Sequence, residues 1–282
     1  MIKEENLKTK NENTWCPGCS NFLVLNVVKK ALAQLPYKQQ EYAIVSDIGC
    51  SSKIFDYLNL SGINGLHGRA IPTAFGVKLG NPNLKVLAFM GDGGAYAEGM
   101  EHFIHACRDN SDFKILVMNN EVFALTVGQP TPTTEEGFKD KTTPFGVKEK
   151  PLNPIALALV SGASFVARMN VFDIENSIEI LKQAIEHKGF AYIDVLQPCI
   201  KFHNISDLIR QKAYKVQAGS FEDALKLAEE HTGHEGKMPY GIFYKVERET
   251  FEGKREILSK LKKDGKGFVD MRKSRSVVGD FL

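Results

Sequence analysis

Apolar residues recur along the 282-residue chain in two alternating rhythms. Solid runs at 42–48, 84–90, 113–119, 164–167 and 190–197 suit buried strands of a parallel sheet. Between them the spacing turns helical. In 20–35 it is carried by Phe22, Leu25, Val28, Leu32 and Leu35, with Ser20 as the expected N-cap and Pro36 as the stop. Residues 63–80 read as a further strand–loop–helix passage. In 95–107, Met100, Phe103, Ile104 and Cys107 fall at i, i+3, i+4 and i+7, one apolar helical face with Cys107 pointing into the core. Helices at 155–160 and 174–187 complete the series. Strand and helix in turn predict an α/β fold with a doubly wound, mostly parallel sheet.

After Pro198 the alternation fades, leaving a helix at 221–230 and a strand at 241–246 as the remaining expectations. The division expected is a cysteine-bearing segment at 1–20, the α/β domain at 21–200, and a C-terminal extension and subunit-docking region at 201–282. Between 253 and 276, nine Lys/Arg stand against three Asp/Glu. That run reads as a solvated or partner-covering arm, with docking of an acidic partner as the alternative.

Composition narrows the class of function. Lys+Arg 36 against Asp+Glu 34 gives a net charge of +2, which offers no basic field of the size a nucleic-acid binder needs. With 43% hydrophobic and 25% charged residues the chain can bury a core. The longest apolar candidate for a membrane span, 155–167, is interrupted by Ser161, Gly162 and Ser164, so no membrane association is expected. The polar opening MIKEENLKTKNENT lacks the apolar stretch of a secretory signal, and a cytoplasmic location is the expectation. Five cysteines without an export signal argue for reduced thiols or metal ligands rather than a disulfide framework.

Chemistry concentrates where strands end. Gly91-Asp92-Gly93 and Asn119-Asn120 each close an expected strand, with one helix and one strand between them. A carboxylate and an amide carbonyl are hard oxygen ligands for Mg²⁺, and glycines beside the Asp let phosphate oxygens approach backbone N–H groups. Together they describe a diphosphate–Mg²⁺ site at the carboxyl edge of the sheet. A dinucleotide fingerprint fits less well, since Tyr96 stands where the third glycine of G-x-G-x-x-G belongs. Among the thiols, Cys16 and Cys19 form a CxxC turn, Cys50 ends a strand and Cys199 follows one. Such a Cys₄ set suits Zn²⁺ or an Fe–S cluster, and spacing alone does not choose.

The GDG and NN tokens at this distance resemble the thiamine-diphosphate motif. The stretches TWCPGC, SDIGCSSK, LHGRAIPTAFGVKLGNP, MGDGGAYAEG, NNEVFALTVGQPTPTT and LQPC are similar to the β subunit of 2-oxoacid:ferredoxin oxidoreductases, densely over about residues 14–200. The resemblance implies Mg²⁺ on Asp92, Asn120 and the main-chain oxygen of Val122, and one 4Fe-4S cluster on Cys16, Cys19, Cys50 and Cys199. It implies cofactor contacts from Ile48, Gly49, Cys50, Ser51, His67, Gly93, Gly94, Leu125 and Thr126. Lys53 is placed toward the substrate carboxylate, and His67 and Leu125 in the catalytic set. Val127 departs from the Lys or Gly often met before Gly128-Gln129, and Lys201-Phe202-His203-Asn204 from the usual continuation after the fourth cysteine.

The reaction implied is oxidative decarboxylation of a 2-oxoacid with coenzyme A, 2-oxoglutarate or a broad range preferred and pyruvate next, with electrons passing to ferredoxin. Thiamine activation requires a glutamate that the family carries on a pyrimidine-binding domain of another subunit. A larger α, or α and γ, partner is therefore expected. The competing readings are a non-redox thiamine-dependent decarboxylase subunit, which needs no cysteine set, and a zinc-stapled scaffold subunit without catalysis.

Overall fold

A computed structural model describes residues 2–231 and 234–263. The basic run of 253–276 therefore falls largely outside the described residues. In chain order the sheet and its connections are α1 (Asn21–Gln34), β1 (Tyr42–Ser46), α2 (Ile54–Tyr57), β2 (Gly62–Asn64), α3 (Ala70–Gly80), β3 (Lys85–Gly91), α4 (Met100–Asp109) and β4 (Phe113–Asn119). A two-stranded hairpin of β5 (Val122–Phe123) and β6 (Gln129–Pro130) follows, then α5 (Pro154–Val160), β7 (Phe165–Asn170), α6 (Ile174–Glu186) and β8 (Ala191–Leu196). The chain continues with α7 (Ser206–Lys212), β9 (Ala213–Gln217), α8 (Phe221–Glu229), β10 (Met238–Lys245) and α9 (Glu256–Lys263).

Eight strands form one sheet in the order β2-β1-β3-β4-β8-β7-β10-β9. All neighbours run parallel except β7 and β10. The central strands are buried along their whole length, as solid apolar runs require. One face packs Val24, Val28 and Leu32 of α1 and Ile178, Leu181 and Ile185 of α6. The other packs α3, α4, α5 and α8 through Ala70, Ala74, Phe103, Ile155, Leu159 and Ala224.

Three expectations need correction. Ser20 does not cap α1 through its side chain; its hydroxyl donates to Pro198 O at 2.9 Å, tying the CxxC turn to the segment before Cys199. The helix expected at 95–107 is two pieces, a π-helical turn at Gly94–Glu98 and then α4. Within α4, Phe103 and Cys107 are buried while Ile104, at the margin of the expected face, is exposed. The alternation does not fade after Pro198 either: α7, β9, α8 and β10 continue it, and β9 and β10 widen the main sheet.

Chain direction fixes where function can sit. The chain leaves β1 toward β2 on one side and β3 toward β4 on the other, so the carboxyl ends of the neighbouring strands β1 and β3 flank the crevice in which open α/β sheets bind ligands. Register levels the strand ends: Ser46 is opposite Phe89, Gly91 opposite Met118, and Asn119 opposite Leu196. The loops that begin at Asp47, Asp92, Asn120 and Gln197 thus share one edge.

Candidate active site

Two cavities open on that edge. The larger, about 530 Å³, is lined by Ile48, Gly49, Cys50, Ser51, His67, Asp92, Gly93, Gly94, Asn120, Val122, Leu125 and Thr126, together with Gly91, Glu98, Phe123 and neighbours. Every residue expected to hold Mg²⁺ or contact the cofactor is therefore on one wall, apart from the other three cysteines. The smaller, about 200 Å³, is lined by Cys16, Cys19, Cys50 and Cys199, with Lys53, Thr14, Trp15 and Val127. Cys50, Asn120, Ala124 and Leu125 border both. Lys53 is absent from the larger cavity; its Nζ donates to Thr14 Oγ1 at 3.0 Å beside the thiols.

Asp92 follows β3 directly and is buried. Its Oδ2 accepts from Thr131 Oγ1 at 2.5 Å and Thr133 Oγ1 at 2.9 Å, and Thr133 Oγ1 also reaches Asn119 Oδ1 at 2.9 Å. Asn119 in turn donates to Asp194, which is ion-paired with the buried Arg168 at 2.6 Å. Burial pushes the Asp92 carboxyl up to about 7 against the two threonine hydrogen bonds, with Glu121 adding to the rise. Hydroxyl dipoles alone do not hold a carboxylate ionised there; a divalent cation would. Asn120 Oδ1 accepts from Val122 N at 3.1 Å across Glu121, whose φ of 63° turns the chain sharply between two of the expected ligands. The oxygen donors fit Mg²⁺.

The rest of the larger cavity is shaped by close backbone approach. A Cβ at Gly94 would collide with Asp47 Oδ2, and one at Gly93 with the Phe123 ring. Asp47 is buried, accepts from Gly68 N at 2.6 Å and lies 3.9 Å from His67 Nδ1, which is 3.2 Å from Glu98. Burial raises the Asp47 carboxyl to about 6, opposed by His67 and by main-chain N–H groups. Asp47, Glu98, Thr131 and Thr133 were not among the expected site residues. Asp47 was visible only as the neighbour of a loop, and the threonines lie 39 and 41 residues from Asp92, a separation only the fold closes.

The four cysteines come from three chain segments that hydrogen bonds hold together. Cys19 N bonds Cys16 O at 3.0 Å, Trp15 Nε1 donates to Cys50 O at 2.7 Å, and Cys199 exchanges backbone bonds with His203 at 2.9 and 3.0 Å. Burial pushes the Cys19 thiol up to about 11, and the other three cysteines add to it. Cys107 is buried in the core and lines neither cavity. Four thiols around one Zn²⁺ would stand ~3.8 Å apart, given Zn–S bonds of about 2.3 Å. Among the described residues no three of these sulfurs gather within 4.8 Å of one another. The four thiol donors suit a metal ion or an Fe–S cluster, and all four line the smaller cavity.

Residues 47–195 match the family model of the thiamine pyrophosphate enzyme C-terminal TPP binding domain. A 2-oxoacid:ferredoxin oxidoreductase subunit beta of Saccharolobus solfataricus is 41% identical over 251 residues, covering 83% of this chain and 82% of that one. This chain belongs to the 2-oxoacid:ferredoxin oxidoreductase β-subunit family. Another member-like relative, the 2-oxoglutarate synthase subunit KorB of Methanocaldococcus jannaschii, is 34% identical over 89% of this chain and 94% of its own length. A solved 2-oxoglutarate:ferredoxin oxidoreductase from Magnetococcus marinus, with 2-oxoglutarate, coenzyme A and succinyl-CoA bound, superposes with a TM-score of 0.86 at 31% identity, covering 98% of this chain and 96% of that one. The α/β fold and the enzyme class expected from the sequence are those of the family; the protein is one subunit of a 2-oxoacid:ferredoxin oxidoreductase.

Proposed function

We propose that the larger cavity takes thiamine diphosphate with Mg²⁺ on Asp92, Asn120 and the main-chain oxygen of Val122, and that Cys16, Cys19, Cys50 and Cys199 carry a 4Fe-4S cluster in the smaller one. The observation that carries this reading is the shared wall: Cys50 and Leu125 border both cavities. When bound, thiamine diphosphate supplies the electron sink for 2-oxoacid decarboxylation and the cluster a one-electron relay. Asp92 and Asn120 hold the metal; Thr131 and Thr133 orient Asp92. His67, between Glu98 and Asp47, stands at the cofactor wall, where it binds diphosphate or moves a proton. Lys53, on the wall of the smaller cavity, offers a cation to a substrate carboxylate.

The substrate is 2-oxoglutarate or a broad range of 2-oxoacids, with pyruvate next, coenzyme A accepts the acyl group, and ferredoxin takes the electrons in the cytoplasm. A larger α-type subunit supplies the pyrimidine-binding half. Ile48, Leu66, Leu125 and Val127 are exposed apolar residues on the loops that frame the cavities, a surface that a partner would cover. No described helix is long and apolar enough to cross a membrane.

Anaerobic co-purification with the partner subunit tests this. The expected product is brown, with roughly four irons per chain, retained thiamine diphosphate, and coenzyme A-dependent reduction of a viologen dye by 2-oxoacids. Cys50→Ser is expected to lose the iron and the dye reduction while keeping the fold. A colourless, iron-free protein that still releases carbon dioxide would overturn the redox assignment.

A further inference from the structure

A second metal-binding arrangement lies behind the cofactor loop, outside both cavities. Glu121, Glu135, His203 and His234 each bring a donor atom within 4.8 Å of the others, the one such group of His, Cys, Asp or Glu among the described residues. Glu121 and His203 side chains are only 4% and 5% exposed. His203 Nε2 is taken by Glu135, at 2.9 Å. With that nitrogen donating its proton to a carboxylate, Nδ1 is left as the lone-pair donor, the arrangement that fixes metal-binding histidines in place. His203 Nδ1, His234 Nε2 and Glu121 Oε2 are all buried without a hydrogen bond. His234 Nε2 and Glu121 Oε2 stand 2.7 Å apart out of hydrogen-bond alignment, and His203 Nδ1 lies 3.9 Å from the same oxygen. Two imidazole nitrogens and one carboxylate oxygen, drawn together by charge with no aligned hydrogen bond on any of them, thus gather in one buried place.

We propose that Glu121, His203 and His234, with Glu135 bracing His203, form a site for a divalent transition-metal ion, Zn²⁺ by its donor set. Imidazole nitrogen and carboxylate oxygen in a compact group of four match Zn²⁺ coordination, whereas Mg²⁺ and Ca²⁺ take oxygen almost throughout. Two carboxylates balance the charge of the ion. The four residues come from four places: the loop after β4, the long segment before α5, the bridge after Cys199, and the segment leading into β10. One ion therefore staples them. Glu121 lies between Asn120 and Val122, and His203 is paired backbone to backbone with Cys199, so the staple grips the walls of both cavities from behind.

The full chain, co-purified with its partner subunit and freed of loose metal on a chelating resin, is the sample for the test. Expected is one zinc per chain that survives Cys50→Ser and is lost, along with a chelator-sensitive part of the melting temperature, in His234→Ala. Zinc that instead follows the cysteines, or stays in His234→Ala, overturns the site, as does a wild-type protein that takes up none from excess Zn²⁺. Should His234→Ala fail to fold, Co²⁺ exchanged into the iron-free Cys50→Ser variant, read as a difference against the same variant with Zn²⁺, decides: visible d–d bands without a thiolate charge-transfer band support nitrogen and oxygen ligands, and a thiolate band, or no bands, refutes them. Iron content and dye reduction report separately on the cysteine cluster, so its failure does not imitate this one.

Discussion

The two ends of the same sheet bury carboxylates in opposite ways. At the amino edge, Asp112 is held by Lys78 at 3.1 Å and Lys114 at 2.7 Å, and Lys114 also donates to His187 O and Gly189 O. At the carboxyl edge, Asp92 Oδ2 meets two threonine hydroxyls, Asp47 Oδ2 has His67 at 3.9 Å, and Glu121 Oε2 has His234 and His203 at 2.7 and 3.9 Å, imidazoles in place of the ammonium groups on Asp112. The amino edge is closed by protein cations, and neither of the two cavities of the candidate site opens there. The carboxyl edge leaves charge to be met from outside, and both cavities open on it. A carboxylate paired within the chain is structural; one left to hydroxyls in a crevice is a place for a cation.

Breaking the amino edge is expected to cost the most. Asp112→Ala takes the counter-charge from two ammonium groups, each 2% exposed, and is expected to destabilise the fold by ~3–5 kcal/mol, read by chemical denaturation of the cofactor-free chain. The contrasting variant is Asp92→Asn. It should weaken Mg²⁺-dependent thiamine diphosphate binding by at least ~100-fold in equilibrium dialysis, because a metal ligand matters more than the groups that orient it. Yet the cofactor-free chain should be as stable as the wild type or more so, since a buried, poorly compensated carboxylate is gone. Equal loss of stability in both variants would dissolve the contrast.

The position of Asp92 was legible in the sequence, and the reason it is uncompensated was not. Solid apolar runs reported β1, β3 and β4 nearly to the residue, because strands buried on both faces carry no polar interruptions. The carboxyl edge followed from chain direction alone. β9 escaped, since AYKVQ lies toward the edge of the sheet with three of five residues only half-buried and two exposed, leaving no apolar run to detect. The threonines on Asp92 and the group of Glu121, Glu135, His203 and His234 escaped for a different reason. Their members are ordinary loop residues until β4, β8 and β10 bring them to one side.

Thr133→Val is a milder probe of the carboxyl edge. It removes one hydroxyl from both Asp92 and Asn119 while keeping the shape, and is expected to weaken Mg²⁺ retention by ~10–100-fold with little change in fold stability. A change in stability larger than the change in binding would make Thr133 part of the scaffold rather than of the site.

The smallest expected effect returns to the amino edge, where closure has a consequence in acid. His187 is buried beside Lys114, its Nε2 2.7 Å from Ser164 Oγ, and burial together with the Lys114 charge lowers its pKa to about 4. The unfolded chain, near the ordinary 6.5, binds the proton more readily than the folded one. The stability due to a neutral His187 is therefore complete above pH 6.5 and is lost progressively as the pH falls toward 4. Allowing for relaxation and water entry around the charged imidazole, the loss is on the order of 1–2 kcal/mol. Denaturation of wild type and His187→Gln at a series of pH values isolates it, because carboxylate titration is common to both and cancels in the difference. The two curves should converge as the pH drops through this window; parallel curves would mean that the imidazole is already solvated, and that the amino edge is less tightly closed than its ion pairs indicate.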